Sequence, residues 1–197
     1  MSYPTPTEAE IILNEAEIMN PRAWVSHNRV AALCARKIAE KCSDLDPDKA
    51  YVLGLLHDIG RRFGNQLDMR HITEGYYFMK KLGYVDCAKI CLSHSFPSPK
   101  IEVYTGVNDC TKEDTEMVIT FLKENEFDDY DRLIQLCDAL AFSTGATFIE
   151  KRLVDATLRR GFNDYTIEKW KAFLDLKVYF DKKTSCDIYT VIDAKNR

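Results

Sequence analysis

The chain has no C-x-x-C pair among its seven cysteines, no apolar run of about 18 residues, and almost no strand-like alternation. Each absence removes a class of protein. Without paired cysteine spacing, neither a zinc knuckle nor a disulfide framework is supported. The odd number of cysteines, most of them inside apolar helical patterns such as LCARKIAEKC and LIQLCDALAF, reads as reduced, buried thiols of a cytoplasmic protein. Without a long apolar run there is no candidate membrane span. The start, MSYPTPTEAE, has no apolar signal core, so the chain is expected to be neither exported nor membrane-bound. Net charge is -4, which argues against a nucleic-acid-binding face but leaves room for a small basic pocket. Glycine and proline are also sparse, at 8 and 6 of 197 residues, so no linker or low-complexity tract divides the chain. One all-α domain spanning residues 1–197 is the economical expectation.

What is present is a succession of amphipathic patterns. Residues 7–19 predict a helix with Thr7 as N-cap and Glu10 at capping-box spacing. Residues 22–42 carry an apolar stripe through His27, Val30, Ala31, Cys34 and Ile38. Asp46 and Pro47 open a helix through YVLGLLHDI, with Gly60 placed to end it. Further helices are expected over 69–82, 84–93, 112–125, 128–142, 147–160 and 166–181. Residues 94–110, with two prolines and no sustained period, form one long loop in which IEVYTGV suits a short extended piece. Long loops in compact domains are often functional. The final fifteen residues show no clear pattern.

The chemistry concentrates in the four histidines, His27, His57, His71 and His94. His27 lies in line with the apolar stripe of its helix. His57 follows Ala50, Leu53 and Gly54 at helical spacing, and Asp58 comes directly after it. Asp138 interrupts LIQLCDALAF one turn after Ile134. A lone inward histidine is commonly a satisfied core residue, and a lone aspartate in an apolar run is commonly half exposed or a cap. The joint pattern is different. Buried carboxylates are unfavourable unless paired, hydrogen-bonded or metal-bound, and imidazoles and carboxylates converging in a helical core satisfy one another poorly without a cation. That donor set suits Fe, Mn, Co, Ni or Zn, with no thiolate required.

These residues carry a resemblance. His27 in SHNRVAALCARKIAE, His57-Asp58 in GLLHDIGRR and Asp138 in DRLIQLCDALA follow the H…HD…D order of the HD superfamily of metal-dependent phosphohydrolases, and HDIG matches the commonest form of its signature. The likeness runs from about residue 22 to about residue 145, leaving 146–197 as a C-terminal helical extension. It implies an HD helical bundle in which His27, His57, Asp58 and Asp138 bind a divalent transition metal. In two-metal branches of the family, extra histidines fall between HD and the last Asp, as His71 and His94 do here, and Asp58 would bridge to a second ion. The alternative is one ion, with His71 and His94 binding substrate phosphate. No GYP segment is present, so cyclic di-GMP hydrolysis is not supported.

The ligands fit attack of an activated water on phosphorus. Asp58 would orient that water, and Arg61 would neutralise phosphate charge. Arg62 and Lys100 are weaker phosphate candidates, as is Arg70, and Tyr76, Tyr77 and Phe78 could stack on a base or serve as core. The run EKRLVDATLRR reads as an ordinary solvated helix face. The expected substrate is a small phosphorylated metabolite, foremost a nucleotide. A non-catalytic nucleotide sensor and a di-iron oxygenase are the competing readings.

Overall fold

A computed structural model describes residues 2–64 and 68–196. The architecture is all-α, with one two-residue hairpin. Helix α1 (Pro6–Met19) opens on Thr5, whose hydroxyl accepts from the Glu8 amide while Glu8 accepts from the Thr5 amide. The capping box therefore sits two residues earlier than Thr7 and Glu10, because Pro6 suits the first helical position. Next come α2 (Ala23–Ala39) and α3 (Pro47–Leu56), the latter capped by Asp46 as the sequence predicts. Helix α4 (Arg70–Lys81) and α5 (Val85–Ser93) precede the long loop, and α6 (Lys112–Glu124) and α7 (Asp129–Ala139) follow it. Strands β1 (Ala141–Phe142) and β2 (Gly145–Ala146) pair antiparallel. Helices α8 (Ile149–Arg160), α9 (Thr166–Thr184) and α10 (Ile188–Val191) complete the chain.

Three further local expectations are corrected. Helix α3 stops at Leu56, and Ile59–Phe63 form a 3₁₀ segment, so Gly60 does not end a helix. Its role is packing: a Cβ at Gly60 would stand 2.0 Å from the carbonyl oxygen of His71 and 2.5 Å from the amide nitrogen of Gly75. The IEVYTGV piece is not extended over its first residues, because Ile101–Val103 make a 3₁₀ turn. The helix expected over 128–142 ends at Ala139, since residues 141–142 pair with 145–146 instead.

The core forms where α2 lies along α3, with α7 across both. Val25, Ala31, Ala35 and Ile38 of α2 are fully buried against Val52, Leu55 and Leu56 of α3 and Leu133, Ile134 and Leu136 of α7. Gly54 permits the close approach: a Cβ there would lie 2.8 Å from the Ala32 Cα. Phe173, Leu176 and Phe180 of α9 and Ile188 of α10 enter the same core. A second cluster joins Ile72 of α4, Leu92 of α5, and Val118 and Leu122 of α6 around Phe96. The cysteines are unpaired, and Cys34, Cys42, Cys87, Cys91 and Cys137 are buried. Among the described residues, no helix is long and apolar enough to cross a membrane.

Candidate metal centre

The four imidazoles arrive from four different elements, and each is oriented by a backbone carbonyl. His57, the first residue beyond α3, donates from Nδ1 to the Gly54 carbonyl at 2.7 Å. His94, the first beyond α5, donates from Nδ1 toward the Cys91 and Ile90 carbonyls at 3.0 and 3.2 Å. His71, in the first turn of α4, donates to the Asp68 carbonyl. His27, inside α2, reaches across to the Ala141 carbonyl at 3.1 Å. A carbonyl can only accept, so the Nδ1 of each ring carries the proton and Nε2 presents a lone pair. This is how metal-binding histidines are commonly oriented.

The Nε2 atoms converge on two carboxylates. His27 Nε2 lies 3.0 Å from Asp138 Oδ1, and His57 Nε2 lies 3.9 Å from the same oxygen. His71 and His94 Nε2 lie 2.9 and 3.4 Å from Asp58 Oδ1, and 3.4 Å from each other. The His57 ring stands edge-on to both His27 and His94, with centroids 5.3 and 5.0 Å apart, and so links the two groups. Ligand atoms of His27, His57 and Asp138 lie within 4.8 Å of one another, as do those of His57, Asp58 and His94.

Electrostatics show what this arrangement lacks. Burial pushes His57 down to about 4, with the His94 and His27 rings adding to the effect against the pull of Asp58 and Asp138. Burial also lowers His71, and Arg61 lowers it further. Burial opposes ionisation of Asp58, but Arg61 and then His71 outweigh it and hold the carboxyl well below the usual carboxylate range. Asp138 is likewise held low, with His27 and then His57 beside it outweighing its burial. A neutral ring with its proton on Nδ1 sets a lone pair against a carboxylate oxygen, which is repulsive unless a positive charge lies between them. His57 Nε2 and Asp58 Oδ1 are buried with no hydrogen-bond partner, although unsatisfied buried polar atoms are rare. The donor set therefore fits a divalent cation, and these buried groups could hold one.

A cavity of about 660 Å³ opens above this cluster, of a size suited to a small metabolite. Trp24, His27, Asp58, Arg61, His94 and Asp138 are among its lining residues, while His57 and His71 lie beneath, each about 1% exposed. Asp138 is half-buried at the cavity floor, with 23% of its side chain exposed. Arg61 follows Asp58 in the 3₁₀ segment, and its Nε donates to Asp58 Oδ2 at 2.6 Å. Arg62 turns the other way, over the Phe78 ring at 4.1 Å. Lys100 pairs with Glu168 at 2.9 Å, and Arg70 pairs with Glu74 at 2.8 Å. None of these three lines the cavity. Tyr77 bonds to Asp114, and Tyr76 lines a different surface cleft. The aromatic walls come instead from Trp24, Phe142, Trp170 and Phe173.

Helix α7 braces the centre from behind. Asp131, fully buried, accepts from Ser93 Oγ at 2.7 Å and from Lys89 Nζ at 2.5 Å. Gln135 donates to the carbonyls of Ser93 and Phe96 at 3.1 and 3.0 Å. Together they clamp the backbone on both sides of His94, one and two turns before Asp138. The expected solvated face of EKRLVDATLRR is also revised: Arg152, Arg159 and Arg160 line the cavity. Spacing gave no sign of this, because the cavity wall is completed by α9, which meets α8 only in the folded chain.

Compared with known proteins, the HD domain profile matches residues 25–143, a span that contains all four histidines, Asp58 and Asp138. No curated protein and no solved structure matches the chain.

Proposed function

Because the chain belongs to the HD superfamily of metal-dependent phosphohydrolases, we propose that it hydrolyses a phosphate ester or anhydride of a nucleotide or similar small metabolite. The observation that carries this reading is the pair of unpartnered buried atoms, His57 Nε2 and Asp58 Oδ1, at the base of a cavity that Arg61 also lines. His27, His57, Asp58 and Asp138 would hold a divalent transition metal. His71 and His94, both facing Asp58 Oδ1, support a second ion there. A bound divalent cation lowers the pKa of water and polarises a phosphoryl oxygen.

The chain's own groups do the rest. Asp58 stays ionised, so Oδ1 can accept a hydrogen bond from an attacking water and orient it. Arg61 holds Asp58 through Nε while lining the cavity, which places a guanidinium where phosphate charge has to be neutralised. Trp24 and Trp170 offer apolar faces for a base or similar ring and exclude bulk water. The shared core of α2, α7, α9 and α10 supports reading residues 146–197 as part of the same domain.

The test is phosphate release from a panel of nucleotides and dinucleoside polyphosphates, with Mn, Co, Ni, Fe or Zn supplied and metal content measured. Turnover that is lost in His57→Ala and Asp138→Ala is expected. Absence of release with every metal overturns the reading.

A further inference from the structure

The cavity wall contributed by α8 and α9 lies outside residues 25–143 and carries cations that the metal centre does not use. Four basic residues of these helices have close carboxylate partners. Lys177 pairs with Asp181 and Asp187 at 2.7 and 2.9 Å, and Lys183 pairs with Asp44 and Asp129 at 2.6 and 2.9 Å. Arg159 takes Asp155 at 2.8 Å, and Arg160 takes Asp68 at 2.8 Å.

Two cations differ. Lys169 is half-buried, and among the described residues its ammonium has no ion-pair or hydrogen-bond partner; it stands 5.9 and 6.0 Å from the Tyr104 and Phe173 ring centroids. Arg152 reaches Asp155 only at 3.5 Å, a carboxylate already taken by Arg159, and its buried Nε has no hydrogen-bond partner. Both side chains line the cavity. A desolvated cation without a counter-ion is unfavourable in a folded protein. Burial pushes Lys169 down to about 8, with Arg160 and Arg152 adding to the effect against Asp138, as expected where an anion is wanting.

We propose that Lys169 and Arg152 form a second anion subsite, and that the substrate therefore carries a further phosphate group beside the one that is cleaved. This rests on the phosphohydrolase reading and narrows its substrate class to polyphosphorylated metabolites. The division of labour follows from position. Arg61 serves the scissile phosphate from the HD side of the cavity, directly after Asp58. Lys169 and Arg152 come from α9 and α8, beside Phe173 and Phe142. A phosphate there supplies the acceptors that the ammonium and the guanidinium Nε lack.

The chain's two tryptophans, Trp24 and Trp170, both line this cavity, so intrinsic fluorescence reports binding without turnover. The full chain, loaded with Mn²⁺, is titrated with inorganic phosphate and with methylenebisphosphonate, which is not hydrolysed. The wild type is expected to bind the bisphosphonate at least about tenfold more tightly than phosphate. Lys169→Gln and Arg152→Gln are each expected to weaken bisphosphonate binding about tenfold and phosphate binding less than about twofold, with Lys169→Arg retaining affinity. Melting curves establish that the variants fold. Equal affinity for the two ligands, or a preference that survives both substitutions, overturns the subsite. Phosphate release decides the other reading separately. Turnover by the wild type with bisphosphonate affinity unchanged in the variants removes only the subsite. Weakened bisphosphonate binding in the variants, with no turnover of any substrate, supports the subsite and removes only the hydrolase.

Discussion

Replacing Gly60 by alanine separates two accounts of one residue, and they differ in sign. If Gly60 were only a helix punctuation mark, alanine would cost nothing in the folded state and would restrict the unfolded chain. The expected effect would then be a gain of about 0.4–1 kcal/mol. The packing account predicts a loss. The added methyl would meet the His71 carbonyl oxygen at 2.0 Å and the Gly75 nitrogen at 2.5 Å, and ordinary contact begins at 3.4 Å. Both obstacles are backbone, so no side-chain rotation relieves them. Helix α4 and the Ile59–Phe63 segment would have to move apart to relieve these contacts, against the close packing of the core. Overpacking of this kind costs about 1–3 kcal/mol, and at about 2 kcal/mol a chain of this length melts roughly 4–8 °C lower. The same movement carries His71 away from Asp58, so metal retention falls with stability. Calorimetric melting of chelated and Mn²⁺-loaded protein, with metal content after dialysis, measures both effects. A Gly60→Ala variant that melts at or above the wild type and keeps its metal would refute the argument.

Other perturbations test separate parts of the structure. Asp131→Ala leaves Ser93 Oγ and the Asp128 amide without their acceptor and Lys89 with Asp128 alone, and is expected to cost about 1–3 kcal/mol in urea denaturation. An unchanged midpoint would show that the brace behind His94 is dispensable. Lys169 has a folded-state pKa near 8, below its ordinary 10.5, so between those values the unfolded chain holds a proton that the folded chain has released. Its contribution makes the ligand-free protein more stable as pH rises from about 8 to 10, and Lys169→Met should remove that rise relative to the wild type. Denaturation curves across this range that coincide in slope for both proteins would contradict it. Long-range ¹H–¹⁵N spectra of the imidazoles should show His57, His71 and His94 protonated at Nδ1 at neutral pH, and an Nε2–H tautomer in any of them would contradict the carbonyl orientation.

The helical organisation was legible because amphipathic period and caps agree: Asp46-Pro47 opens α3 and Gly83 follows α4 as expected. The convergence of His27, His57, Asp58 and Asp138 was legible for a related reason, since polar residues on an apolar face must find one another. Other features had no local signature. The apolar run into HDIG continues through Ile59, so period alone cannot show that the α-helix stops at Leu56 and a 3₁₀ segment takes over. That change of geometry also sends the adjacent Arg61 and Arg62 to opposite sides, one onto Asp58 and the other onto Phe78. Lys100 looked available because its partner, Glu168, is 68 residues away. Arg152 looked like a solvated charge because the cavity it lines depends on how α8 and α9 meet the HD core.

The break at Leu56 has a chemical purpose that the ligand pattern alone does not express. The last carbonyls of an α-helix have no amide partner within the helix. At the ends of α3 and α5, such a carbonyl is satisfied by the imidazole of the next residue, His57 on Gly54 and His94 on Cys91, each three positions back. His71 makes the same three-residue return to Asp68 at the start of α4. Each contact satisfies a carbonyl, fixes the proton on Nδ1 and aims Nε2 at the carboxylates. Had α3 continued through Asp58, the backbone would have claimed the Gly54 carbonyl and left the His57 tautomer unset. Only His27, inside α2, needs a carbonyl from elsewhere, and Ala141 of the hairpin supplies it at 3.1 Å. Asp138 lies three residues before Ala141, so the segment that brings the last carboxylate to the centre also orients the first histidine. That coupling ties the two ends of the H…HD…D order together, and explains why α7 has to end at Ala139 and turn directly into β1.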